Sequence, residues 1–366
     1  MAEKSKSPYA ASFCDDRVFD FDYTFGWTEA DRALLARLQD FIPDKVFDAH
    51  AHLHKVEYMP QGANMFQGFG TADMERLLAD QKELYGNRKF RGLILPTPSV
   101  LFNDRPDLRR EMNDWMNEEL YKAPDCVGAI YVMPGDTKED IEAMLTNPQI
   151  RGFKCYHQSA KTDGPTWLAE VGQYLPESAW QVADRRGMSI TIHMVRPDAL
   201  SDEKNMAYFK QMCAKYPNAK MILAHCARGF ASWTLIEAVR KLKGIPNLYY
   251  DMAAICDPAT MCELIRQAGC DHVMWGTDYF IDRAHGKPVN TGASFQWLYK
   301  HEIPESVVFP SCKTVLEALF AFYQASLMLD LSKEEISQVF YGTGCSLFGL
   351  TDSCIIPAGG DPFLCR

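Results

Sequence analysis

The sequence predicts an α/β protein built as a (β/α)8 TIM barrel, with an N-terminal extension and extra C-terminal helices. Three observations carry that expectation. Short β-rich runs alternate with amphipathic segments eight times along the chain. The runs are almost continuously apolar, as strands are when a parallel sheet is covered on both faces. A length of 366 residues suits one large barrel carrying insertions. No 20–50-residue sequence repeat and no low-complexity linker interrupts the rhythm. The expected division is an extension over 1–44, a barrel over 45–350 and a tail over 351–366.

The extension opens with an aromatic, acidic stretch from Phe19 to Trp27 and continues into a helix. Thr28 caps that helix, Asp31 stands at its third position, and Leu34, Leu35 and Leu38 form its apolar stripe. Strand runs follow at 45–50, 90–96, 126–133, 150–156, 188–194, 219–225, 247–253 and 271–277. Helical periodicity fills the gaps, at 71–85, 105–121, 137–146, 176–187, 202–216, 232–243, 257–269 and 292–301. In the first of these Met74, Leu77, Leu78 and Tyr85 share a face. Two further helices, 312–329 and 332–341, close the C-terminal side. The glycine-rich stretch 62–70 fits no phosphate-binding spacing and reads as a mobile lid loop near the barrel mouth.

Composition narrows the function. Hydrophobic residues at 47% and charged residues at 23% are globular values and exclude a disordered or fibrous chain. A formal charge of −10, with no run of basic residues, argues against a nucleic-acid partner. No apolar stretch reaches the roughly 18–20 residues that span a bilayer. The first residues, Met1 to Ser7, lack the apolar core of a secretory leader. Twelve cysteines run from Cys14 to Cys365 without a C-x-x-C pair, and Cys126, Cys155 and Cys226 fall inside apolar runs. Reduced, buried thiols and a cytoplasmic location are the expectation. The partner expected is a small-molecule substrate, and self-association into a homo-oligomer is compatible with the composition.

Barrel enzymes place reacting groups at the C-terminal ends of their strands. Strand one ends in Asp48-Ala-His50-Ala-His52-Leu-His54, and residues two apart in a strand point the same way, so His50 and His52 can grip one cation together. Strand four carries Lys154, strand five ends at His193, strand six at His225, and strand eight runs into Gly276-Thr277-Asp278. Taken singly, each has an ordinary structural reading. Taken jointly, five strands offer a metal-competent group at the same end, and imidazoles with a carboxylate suit zinc, or else manganese.

The order H-x-H, Lys, His, His, Asp on strands one, four, five, six and eight resembles the amidohydrolase superfamily. The segments VFDAHAHLH, RGFKCYH, ITIHM, MILAHCARG and VMWGTDYF are similar to its amidohydrolase-related branch of metal-dependent TIM-barrel hydrolases, which includes enzymes of the aminocarboxymuconate-semialdehyde decarboxylase type. The likeness covers residues 45–350. It implies that His50, His52, His193 and Asp278 hold a divalent metal, one or two ions per chain. His225 would bind a second metal or orient the reactive water, and Lys154 would match a lysine that some members carboxylate to bridge two metals. Where many members show Asn-Ala before the final helix, this chain reads Tyr341-Gly-Thr-Gly-Cys345.

Those ligands imply a hydrolase that uses metal-activated water on a small carboxylated amide, lactone or ester, with Asp278 and His225 as the catalytic side chains. Non-oxidative decarboxylation on the same ligands is the alternative. A carbamate on Lys154 favours hydrolysis, and an unmodified Lys154 beside one metal favours decarboxylation. Arg196 and Arg228, each three residues past a histidine, and Arg283 beyond Asp278 are guanidinium forks near the mouth, suited either to a substrate carboxylate or to the chain's own acidic residues. Tyr156 and His157 are polar contacts for substrate or packing residues. His54, His272, His285 and His301 are assigned to structure or surface.

Overall fold

A computed structural model of the chain describes residues 25–61, 64–302 and 311–351. The expectations for residues 19–24 and for the tail beyond 351 lie outside those residues. Eight parallel strands run in sequence order: β1 (Lys45–Leu53), β2 (Lys89–Pro96), β3 (Val127–Tyr131), β4 (Ile150–Cys155), β5 (Ser189–Ile192), β6 (Lys220–Leu223), β7 (Leu248–Asp251) and β8 (Val273–Met274). Backbone hydrogen bonds close the ring between β1 and the segment leaving β8: Ala49 N to Trp275 O at 2.9 Å, Asp278 N to His50 O at 2.8 Å, and His52 N to Tyr279 O at 2.7 Å. The expected (β/α)8 barrel is present. Among the described residues no helix is long and apolar enough to cross a membrane.

β1 does not alternate strictly. Asp48 pairs with Gly92 and Ala51 with Ile94, so β1 carries one residue more than β2 between those rungs. This bulge turns Phe47 and Ala49 into the barrel, then His50 and His52 into it as well, while Asp48 and Ala51 face the surrounding helices. The barrel interior is therefore layered. Below lies an apolar plug in which Phe47, Leu93, Val127 and Ile222 meet Leu347 and Phe348. Above lie the polar residues at the strand ends.

The C-terminal segment supplies that plug, and here the sequence expectation fell short. The helix expected over 332–341 begins as Lys333–Ser337, widens into a π-helical turn at Gln338–Gly342, and resumes as Thr343–Phe348. This stretch contains Tyr341-Gly-Thr-Gly-Cys345. Phe348 stacks on Phe47 with ring centroids 5.7 Å apart. Its chain end is held by cations from the strand beginnings: Arg151 donates to Phe348 O (3.1 Å), Lys220 to Leu347 O, and Arg91 to Thr351 O (2.9 Å). These groups satisfy carbonyls that the helix end leaves unpaired.

A second correction concerns 292–301, expected as a helix. It forms an antiparallel hairpin, β9 (Gly286–Asn290) with β10 (Phe295–Tyr299). Phe295 and Trp297 are buried and Gln296 and Leu298 exposed, a period of two that overrides the helical reading. The stretch 62–70, expected as a lid loop, contains a short helix, Asn64–Phe69, whose Phe66 and Phe69 pack on Phe280. At the other end of the chain, Thr28 and Asp31 make the expected capping box. Asp31 is fully buried and also accepts from His285 Nε2 and Lys313 N, both at 2.8 Å, which ties the first helix to the loop after β8. All nine described cysteines are free thiols, as expected.

Gly344 sits against the Phe47 ring so closely that a Cβ there would lie 2.2 Å from Cδ1. Gly344→Ala is expected to lower unfolding stability by about 1–3 kcal/mol, the usual cost of overpacking a filled core. Urea or thermal unfolding checks this; an unchanged midpoint would show that the plug yields freely.

Candidate metal centre

The bulge delivers His50 and His52 to the interior with their Nε2 atoms 3.0 Å apart. Each ring is held from behind. His50 Nδ1 meets Asp251 Oδ2 at 2.9 Å, and His52 Nδ1 meets Pro96 O at 3.1 Å. His225 Nδ1 meets Ala253 O at 3.0 Å. A carbonyl or carboxylate oxygen can only accept, so the proton sits on Nδ1 in all three rings and each Nε2 keeps a free lone pair. Asp278 Oδ1 lies 3.6 Å from His50 Nε2 and 3.8 Å from His52 Nε2. His50, His225 and Asp278 each offer one ligand atom within 4.8 Å of the others. Two imidazole lone pairs facing each other at 3.0 Å repel unless a cation stands between them. The donor set thus fits a divalent ion of the borderline class.

The local backbone is held in conformations that L-residues avoid. His225, Cys226, Ala227 and Arg228 all have positive φ, between 50° and 59°, forming a left-handed turn directly after β6. Arg196 after β5, Ala254 after β7 and Asp278 after β8 are also left-handed. Each such residue costs about 1–2 kcal/mol, and such strain gathers at functional sites. Asp251 answers part of it, because its Oδ1 accepts from His225 N (2.9 Å) and Ala253 N (3.2 Å). Asp48 does similar work at the seam, accepting from His50 N, from both N and Oγ1 of Thr277, and from Gln81.

Burial sets the protonation states. It holds His50 and His52 well below the usual histidine range and His225 at about 4, so these rings are neutral. Burial also lifts the Asp278 carboxyl well above the carboxylate range, against the pull of the Lys154 charge. Lys154 is fully buried on β4, its Nζ 3.4 Å from His50 Nε2. Burial lowers its amine to about 8, while the Asp251 and Asp278 charges hold it up.

The remaining candidates divide. His193 stands beside this cluster, its ring centroid 5.1 Å from that of His225 and 4.6 Å from that of Tyr156. Tyr156 and His157 are buried next to it, with His157 Nδ1 3.2 Å from Thr166 Oγ1. Arg228 lies over the Phe295 ring at 5.2 Å and donates to Arg196 O, with no carboxylate among the described residues paired to it. Arg196 is spent on Asp202 at 2.7 Å and on Leu168 O. Arg283 is buried against Asp282 and Asp80 O, away from any open surface. Asp251 and Asp48 are site residues without a role among the sequence expectations. Asp251 ends β7 in Tyr-Tyr-Asp, so the strand-end rule applied to the other strands would have found it.

The family model described as amidohydrolase matches residues 47–350. No curated protein matches the sequence. Solved structures that share the fold include a 5-carboxyvanillate decarboxylase from Sphingomonas paucimobilis, with 14% identity and TM-score 0.53 over 84% of this chain and 100% of that one. A second 5-carboxyvanillate decarboxylase, from Novosphingobium aromaticivorans and complexed with manganese and 4-hydroxy-3-methoxy-5-nitrobenzoic acid, shows 13% identity and TM-score 0.54 over 84% and 96%. A Pseudomonas putida protein provisionally assigned as a 2-pyrone-4,6-dicarboxylic acid hydrolase shows 15% identity and TM-score 0.51 over 84% and 98%.

His52→Ala removes one of the two facing lone pairs. It is expected to weaken zinc or manganese binding by at least tenfold while leaving the thermal midpoint of the metal-free protein unchanged or raised. Equilibrium dialysis with metal analysis, alongside calorimetry, measures both; equal affinity in the variant would remove His52 from the centre.

Proposed function

The chain belongs to the amidohydrolase family of enzymes, and on that premise we propose that it is a metal-dependent, non-oxidative decarboxylase of a small carboxylated carbonyl compound. The observation that carries the reading is that the candidate ligand atoms gather about a single point, with Lys154 beside it. Lys154 is fully buried, its Nζ 3.4 Å from His50 Nε2. The ligand atoms of His50, His225 and Asp278 cluster about one centre, which supports one cation per chain, zinc or manganese.

A bound cation would polarise the substrate oxygen and stabilise the negative charge that develops next to it. The rest falls to side chains of this protein. Arg228, free of any carboxylate partner among the described residues, orients the substrate acid group. With a dication bound, positive charge exceeds negative around Lys154 and Arg228, and an anionic substrate restores the balance. The rings of Tyr156 and His193, tilted against each other with centroids 4.6 Å apart, wall the site on its β4–β5 side and limit water. As the carbon–carboxylate bond breaks, its electron pair stays on carbon and CO2 leaves. Asp278, its proton affinity raised by burial, takes a proton from water and passes it to that carbon.

Hydrolysis is the second reading. Asp278 Oδ1, within 3.8 Å of both His50 and His52 Nε2, stands where it can take the proton of a water in the same position. Solved relatives of the fold include proteins named as decarboxylases and as a hydrolase, and one of the decarboxylases holds manganese.

Chelation is expected to abolish turnover, with zinc or manganese restoring it. Asp278→Asn should lower turnover roughly 100-fold or more, the scale of a missing general acid or base. Screening unsaturated and aromatic carboxylic acids for CO2 release, beside lactones and amides for hydrolysis, separates the readings. Full activity in metal-free protein would defeat both, and hydrolysis without CO2 would defeat the first.

A further inference from the structure

We propose that Asp251 is a positioning residue that joins the cation site to the strained turn presenting His225 and Arg228. The proposal rests on the cation reading above and concerns how this chain prepares for the ion. One carboxylate takes three donors: His50 Nδ1–H on Oδ2 at 2.9 Å, and His225 N–H and Ala253 N–H on Oδ1 at 2.9 and 3.2 Å. Asp251 is fully buried, so no water replaces any of these partners. The first bond keeps the His50 proton on Nδ1 and its Nε2 lone pair turned inward. The other two fix the backbone where it enters the left-handed turn at His225 and just before left-handed Ala254. Gly229 N closes the same turn onto His225 O at 2.8 Å, and Arg228 leaves it toward the mouth.

Only an acceptor with two oxygens meets this requirement. An asparagine carries one oxygen and one NH2 group. If its oxygen stays with the two amides, its NH2 meets His50 Nδ1, and the His50 proton must move to Nε2, where it blocks the cation. If its oxygen stays with His50, the NH2 opposes two N–H donors and the turn loses its anchor. Asp48 is the contrasting case: it too accepts from several donors, but they tie β1 to Thr277 and to the helix that carries Gln81, and none is a histidine ring.

The experiment uses the full chain, freed of metal, as wild type and as Asp251→Asn. Long-range 1H–15N correlation spectra give the His50 tautomer, hydrogen exchange gives the protection of the His225 and Ala253 amides, and competition with a chelator gives affinity for zinc and manganese. Wild type is expected to show the Nδ1–H tautomer. The variant is expected to bind both ions 10–100-fold more weakly, the range for lost outer-shell partners. It should also show either a shifted His50 tautomer or exchange at the two amides at least tenfold faster. A folded variant with wild-type affinity, tautomer and protection overturns the proposal. So does an Nε2–H tautomer of His50 in wild type, a measurement that stands even if the variant fails to fold. Failure of wild type to bind either ion would defeat the cation reading instead, and the tautomer and exchange comparison would still decide whether Asp251 positions His50 and the turn.

Discussion

One extra residue in β1 governs the arrangement of everything above it. Without the bulge between Asp48 and Ala51, strict alternation would send His50 and His52 to the side opposite Phe47 and Ala49. The barrel would then have either a filled floor or a polar ceiling on this strand, but not both. With it, Phe47 joins the apolar plug, the two imidazoles converge above, and Asp48 faces outward to bind Thr277 across the seam. The same bonds that close the ring also place Asp278, since its amide donates to His50 O. Closure of the fold and assembly of the site are one event in this molecule.

The centre concentrates groups that burial disfavours. Asp251, Asp278 and Lys154 are ionisable and enclosed, and the cost of desolvating them is met by mutual proximity and, for Asp251, by three hydrogen bonds. Neutral imidazoles fill the space between them. Such an environment strengthens every remaining electrostatic interaction, because little water competes. The left-handed backbone after β5, β6, β7 and β8 belongs to the same economy of strain: ordinary loops would be more stable, but would aim these side chains elsewhere.

Much of this was legible in the sequence. The order of strands and the residues at their ends followed from apolar runs and from where histidines fell, and six of those residues, His50, His52, Lys154, His193, His225 and Asp278, meet in space. The bulge was not legible, because one inserted residue leaves the apolar pattern of KVFDAHAHL intact. The β9–β10 hairpin was misread because Phe295, Trp297 and Tyr299 satisfy a two-residue period within a stretch short enough to suit a helical one. The arginines were separable only in space: Arg196 found Asp202 six residues on, and Arg228 found an aromatic ring. Asp251 stands at a strand end that the same rule covers, but its role as a shared acceptor shows only in its three donors in space.

The floor of the barrel also has a bearing on how the chain is made. Phe47 emerges from the ribosome early, yet the ring that stacks on it, Phe348, emerges among the last of the described residues. Arg91 waits across 260 positions for the carbonyl of Thr351. Until that segment arrives, a nascent chain can build βα units in order but cannot seal its own base, and the apolar faces of β1 to β4 stay open to wrong partners. The barrel is therefore completed only once that segment is available, and the segment from Gln338 to Thr351 acts as its last stitch. A truncation there of even a dozen residues would leave all eight strands encoded and yet strand the molecule among open, aggregation-prone sheets.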